Sequence, residues 1–137
     1  MTTIYASQSD VEPLIKFIND DASEDLFESV LTNADSWVNA RLASNSLTIF
    51  TNESEKSIPG LLKTAATYYA ASDIILALYN GEEMPTQFDA YFQKAETMVS
   101  AYVTQMKQEL AETELKELNV VKHSKAQTYY QRKGRRH

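Results

Sequence analysis

No cysteine occurs anywhere in the chain, which excludes disulfides and thiolate metal sites. Glycine and proline are almost as scarce, at three residues each. So few turn-formers favour a handful of long helices over many tight turns. The only histidines are His123 and His137, both in the C-terminal segment. The opening residues, MTTIYASQSD, carry neither a basic cluster nor an apolar core, so no signal peptide is expected. The longest apolar stretch is interrupted by Lys63, Thr67, Ser72 and Asp73 and is too polar for a bilayer span.

What is present is enough apolar material for a core. A hydrophobic fraction of 43% over 137 residues suits one folded domain. Charge is unevenly spread. Residues 1–118 hold all 19 acidic residues and seven basic ones, a net −12, whereas residues 119–137 hold six basic residues and no acid, a net +6. A body and a tail of opposite sign suggest surfaces for two different partners.

The chain reads as all-α, a small helical bundle built around one stretch. From Pro59 to Asn80 the residues are apolar or small on almost every side. A helix without a polar face belongs in the middle of its domain. Proline at its start and Gly81 past its end are the expected punctuation. Ahead of it, Ser9-Asp10-Val11-Glu12 has the form of a capping box, which predicts a short helix over about 10–18. Ser23 caps a long amphipathic helix over about 24–44, whose apolar residues recur at spacings of three and four. Its Trp37 reads as a core anchor in preference to a binding hot spot. Residues 45–58 break the pattern, as a surface crossover or a partner-binding loop. Phe88 through Leu110 mark a final amphipathic helix over about 86–118. The remaining 119–137 segment has no clear amphipathic period and is expected to be a flexible basic tail in the free monomer.

A search for chemistry points away from catalysis. No Walker, Rossmann, zinc-protease or nucleophile-elbow pattern occurs. Histidines on a mobile tail lack the fixed geometry that proton transfer requires. Acidic pairs such as Glu24-Asp25 and Glu82-Glu83 sit at helix ends and turns, where they serve as caps and solvation. Asp73, inside the apolar helix, is the exception: a buried carboxylate needs a partner. Lys63, Arg41 or a neighbouring subunit would supply one, unless Asp73 lies on a narrow exposed strip. No catalytic, cofactor or metal residue is assigned. In the tail, Lys122, Lys125, Arg132, Lys133, Arg135 and Arg136 surround Tyr129 and Tyr130. The tyrosines favour docking on an acidic protein over contact with nucleic acid or a purely solubilising role.

The order of elements, together with Trp37-Val38-Asn39-Ala40-Arg41-Leu42 and the Pro59–Tyr79 helix, resembles the head–tail connector (adaptor, or head-completion) proteins of tailed phages and related viruses. The resemblance covers about residues 3–105 and is one of helix order and residue character. It implies a non-enzymatic virion protein of the neck, assembled beneath the portal as a ring, typically of twelve copies. Such a ring extends the DNA channel, passes DNA without reading its sequence, and presents a platform to the next neck or tail protein. The family's C-terminal segments commonly reach the portal, which makes the basic tail the portal-binding candidate here. The loop residues Asn45, Ile49, Phe50, Asn52, Glu53, Glu55 and Lys56 become candidates to face the channel or a neighbour.

Two physical points agree with this reading. An acidic wall repels DNA and lets it slide, and a basic arm gains affinity when many copies engage together. Two rivals stand beside it. A small helical regulator would be monomeric or dimeric and indifferent to a portal. A nucleic-acid-binding protein acting through the tail would bind DNA with steep salt dependence.

Overall fold

The computed structural model describes residues 3–18, 22–53, 57–79, 81 and 83–135, with side chains described through residue 118. The fold is all-α. In order come α1 (Gln8–Val11), a 3-10 turn (Glu12–Leu14), α2 (Glu24–Ser44), α3 (Gly60–Leu78) and α4 (Thr86–Arg135). Among the described residues there is no strand. No helix there is long and apolar enough to cross a membrane. The chain divides into two units, Met1–Val103 and Thr104–His137, a boundary earlier than the one the charge split suggests.

The first helix is shorter than expected and starts earlier. Its N-terminal cap is Ser7, whose backbone N–H donates to the Asp10 carboxylate at 3.1 Å. Ser9 and Glu12 therefore do not form the predicted capping box. Pro13 falls in the 3-10 turn, where its fixed φ and missing N–H are tolerated. The second helix keeps its predicted bounds. Ser23 accepts a hydrogen bond from the Leu26 N–H at 3.1 Å, and Glu24 and Asp25 sit at the positive end of the helix.

The end of α2 carries the one described non-glycine residue with positive φ, Ser46 at 59°. Leu47 N–H donates to the Leu42 carbonyl at 2.9 Å and Ser46 N–H to the Ala43 carbonyl at 3.0 Å. These two bonds form a Schellman cap, made here without glycine. Conversely, Gly81 has no positive φ, and α3 ends as Tyr79 turns extended. The glycine past α3 is thus not its left-handed cap.

The core is built where α2 and α3 face each other. Phe27, Val30, Leu31, Ala34, Val38 and Leu42 form one buried stripe on α2. Leu62, Ala65, Ala66, Ala70, Ala71, Ile74 and Ile75 are fully buried on α3. Four alanines among these seven let neighbouring backbones approach closely, while the leucine and isoleucines fill the gaps. Ser72 is also buried, its hydroxyl donating to the Tyr69 carbonyl at 2.7 Å, so no polar atom is stranded. Within the first unit α4 contributes Ala95, Val99 and Tyr102 to the same core.

Two sequence expectations are modified. The central helix is not covered all round, because Leu76 is 55% exposed. And α4 is assigned to Arg135, past the end expected near residue 118. No proline follows Pro85 and no glycine intervenes between Gly81 and Gly134. Local propensity therefore meets no strong breaker along that stretch.

Candidate functional site

The W-V-N-A-R-L stretch of α2 is a hub from which side chains reach the N-terminal segment, the crossover, α3 and α4. Trp37 lies on the α3 side and stacks on Tyr69, with ring centroids 4.5 Å apart and planes within 13°. It is half-buried rather than a sealed core anchor. Asn39 bridges two segments: its Oδ1 accepts from the Tyr5 hydroxyl, and its Nδ2 donates to the Phe50 carbonyl at 3.2 Å. Arg41 forms an ion pair with Glu96 of α4 and lies 5.5 Å from the Trp37 ring. Val38 and Leu42 are buried in the core.

Two residues before this stretch, Asp35 clasps the N-terminal segment. Its two carboxylate oxygens accept from the backbone N–H groups of Ile4 at 3.0 Å and Tyr5 at 3.2 Å. Burial raises the Asp35 pKa, and these two donors oppose the rise only in part. Sequence reading did not single out Asp35, although a signal existed. The residue follows the i, i+4, i+7 spacing of Leu31 and Val38, and a carboxylate beside a buried stripe needs donors.

The clasp delivers Tyr5 and Ala6 to buried positions. There the Tyr5 ring meets Phe50 edge-on at 6.3 Å. Burial pushes the Tyr5 hydroxyl up to about 12, the nearby Phe50 backbone opposing and Asp35 adding to the shift. Phe50 is therefore a core residue, and its placement pins the crossover. Asn45 belongs to the cap of α2, its amide donating to the Arg41 carbonyl at 2.8 Å. Ile49, Asn52 and Glu53 remain exposed, while Glu55 and Lys56 lie outside the described residues.

The exposed counterpart of this hub is a strip running from α2 across α3 to α4. Tyr69 sits at its centre, between Trp37 and Phe92, whose ring is 6.3 Å away. Phe92 is 38% exposed. Along α3 the residues Tyr69, Asp73 and Leu76 share one face at i, i+4 and i+7. Asp73 is half-buried, and among the described residues no hydrogen-bond or ion-pair partner reaches it. Neither Lys63 nor Arg41 supplies the counter-charge, since Arg41 is engaged by Glu96. Desolvation raises the Asp73 pKa. Tyr69 is raised as well, first by burial and then by the charges of Asp73 and Glu96.

A raised carboxyl pKa means that the fold disfavours the charged form. The folded chain then binds more protons than the unfolded one between the two pKa values, so stability falls as pH rises through that window. Asp73→Asn is accordingly expected to raise the thermal midpoint at pH 7. The gain disappears below the unfolded carboxyl pKa of about 3.9, where both states are neutral. Thermal melts of the two chains from pH 3 to 8 measure this directly.

The basic residues Lys122, Lys125, Arg132, Lys133, Arg135 and Arg136, with Tyr129 and Tyr130, have side chains outside the described residues. Among the described residues no cluster of His, Asp and Glu is arranged to hold a metal ion. What the arrangement offers chemically is a surface: aromatic rings, exposed aliphatic carbon and a carboxylate lacking a counter-charge. No family model, curated protein or solved structure matches the chain.

Proposed function

We propose that this chain is a structural neck protein, a head–tail connector that assembles as a ring beneath a portal. The observation that carries the reading is the order of elements: a short capped helix, a long helix bearing W-V-N-A-R-L, an irregular crossover, an apolar central helix and a long final helix. The hub role of that sequence supports it, since side chains of α2 fix the N-terminal segment, the crossover and α4 relative to one another. A protomer braced in this way can present fixed surfaces to neighbours. The net −12 of residues 1–118 suits a channel wall past which DNA slides. The +6 segment, residues 119–137, is the arm that engages the portal, and twelve such arms acting together would give high avidity from modest individual contacts. The virion neck is its place and the next neck or tail protein its second partner.

Native mass spectrometry of the chain, alone and mixed with the portal protein of the same virus, tests the proposal. A ring, or a monomer that joins the portal in stoichiometric copies, is the expected result. Removal of residues 119–137 is expected to leave the helical fold of the first unit intact and to weaken portal attachment. A monomer or dimer that ignores the portal would sink the connector reading. If that species instead binds DNA with steep salt dependence, the basic tail has a different purpose.

A further inference from the structure

Two exposed patches of the first unit carry complementary character on different flanks. The strip described above offers Asp73 without a counter-charge, flanked by Leu76 and Phe92. The second patch is the turn at Ile15–Ile18, closed by the Ile18 N–H donating to the Ile15 carbonyl at 3.0 Å. It displays the exposed ammonium of Lys16, for which no ion-pair partner occurs among the described residues, beside Phe17 at 42% exposure.

The flanks follow from consecutive residues on two helices. Tyr91 donates its hydroxyl to the Leu14 carbonyl at 2.9 Å and meets Tyr68 edge-on at 5.3 Å, so Tyr68 and Tyr91 look towards the 3-10 turn. Each one residue further, Tyr69 stacks on Trp37 of α2 and Phe92 meets Tyr69. A step of one residue turns a helix by about 100°. The cationic turn and the anionic strip thus lie on separate flanks of the α3–α4 pair, with no ion pair between Lys16 and Asp73 among the described residues.

We infer that the Lys16–Phe17 turn of one copy docks on the Tyr69–Asp73–Leu76–Phe92 strip of the next, as a head-to-tail contact between copies of this chain. The Lys16 ammonium supplies the counter-charge that Asp73 lacks, and the Phe17 ring covers Leu76 and Phe92. Each contact leaves one turn and one strip free, so the contact repeats until a ring closes. Removing Asp73 and its neighbours from water strengthens the charge pair and rewards the apolar contact together. The assignment rests on the ring reading and names the surfaces that would make the ring. It also gives the unpaired Asp73 a purpose: a group that costs the monomer stability is retained where assembly needs it.

Engineered cysteines test this cleanly, because the natural chain has none and every disulfide must join introduced residues. Full-length chains carrying Lys16→Cys and Asp73→Cys are mixed under mild oxidation, with Leu76→Cys as a second strip position if Asp73→Cys folds poorly. The expected product is a covalent heterodimer, and a chain carrying both cysteines is expected to give a head-to-tail ladder. Lys16→Glu with Phe17→Ser, both on the exposed turn, is expected to weaken self-association by about tenfold or more. Lys16→Glu combined with Asp73→Lys is expected to restore part of the loss. A wild-type oligomer that persists in the turn variant and yields no such cross-link overturns this interface and leaves the ring reading standing. Strip cysteines that join instead to cysteines placed in residues 119–137 overturn it also, in favour of the basic tail as occupant. A chain that stays monomeric alone and with the portal, without cross-links, overturns both.

Discussion

Replacing Leu62 by alanine is expected to lower the stability of the first unit by about 3 kcal/mol, and to lower Tm by roughly 10 °C for a chain of this size. Leu62 is fully buried near the start of α3. The adjoining α3 positions Ala65 and Ala66 are small and fully buried and offer no long side chain to fill the space. The loss therefore contains both the transfer term and a cavity term. Chemical denaturation followed by far-UV circular dichroism reads the change. Equal substitution at Leu76, which is exposed, serves as the contrast and is expected to shift stability by less than about 0.5 kcal/mol. A loss of that small size at Leu62 would mean that α3 is not the centre of the domain.

The second large effect is expected at Asn39. Its alanine variant removes the acceptor for the Tyr5 hydroxyl proton and the donor to the Phe50 carbonyl. Breaking two half-buried hydrogen bonds in this way costs about 2 kcal/mol. The effect should exceed that of Tyr5→Phe, which leaves the Asn39–Phe50 bond in place. A double-mutant cycle over Tyr5 and Asn39 is expected to return a coupling of about 1 kcal/mol, and a coupling near zero would dismiss the bridge. Tyr5 also gives the pair a pH signature. The unfolded hydroxyl ionises near pH 10, while the folded one holds its proton to about 12. Between those values the folded chain binds more protons, so stability falls as pH rises. Tyr5→Phe is expected to flatten this alkaline slope.

The contrast between Asn39 and Asp73 separates the two kinds of polar residue in this fold. Asn39 and Asp35 make their hydrogen bonds inside the first unit, fastening the N-terminal segment and the crossover to α2. Asp73 is set into the same bundle without such partners. Polar groups of the first kind hold a protomer together. Under the docking proposal a group of the second kind meets what comes to the protomer from outside, and the cross-linking test above turns on it.

By itself the sequence determined the all-α class, the bounds of α2, the place of the Pro59–Tyr79 stretch as a helix contributing much of the core, and the opposite charges of body and tail. These are consequences of local composition and of the three-and-four spacing of apolar residues, both readable from neighbours along the chain. It also identified W-V-N-A-R-L as a landmark, without showing what each residue in it touches. Tertiary structure alone decided the rest. Asp35 meets Ile4 and Tyr5 across some thirty residues, and Arg41 meets Glu96 across fifty-five. Such separations leave no periodic trace. Ser46 took the left-handed cap that glycine usually takes, because the Schellman bonds at the end of α2 outweigh the local cost of a side chain there. Leu76 and Phe92 were indistinguishable from core residues by hydrophobicity. They are exposed because α3 and α4 present those particular angles to solvent, and an angle is fixed only when the helices have packed.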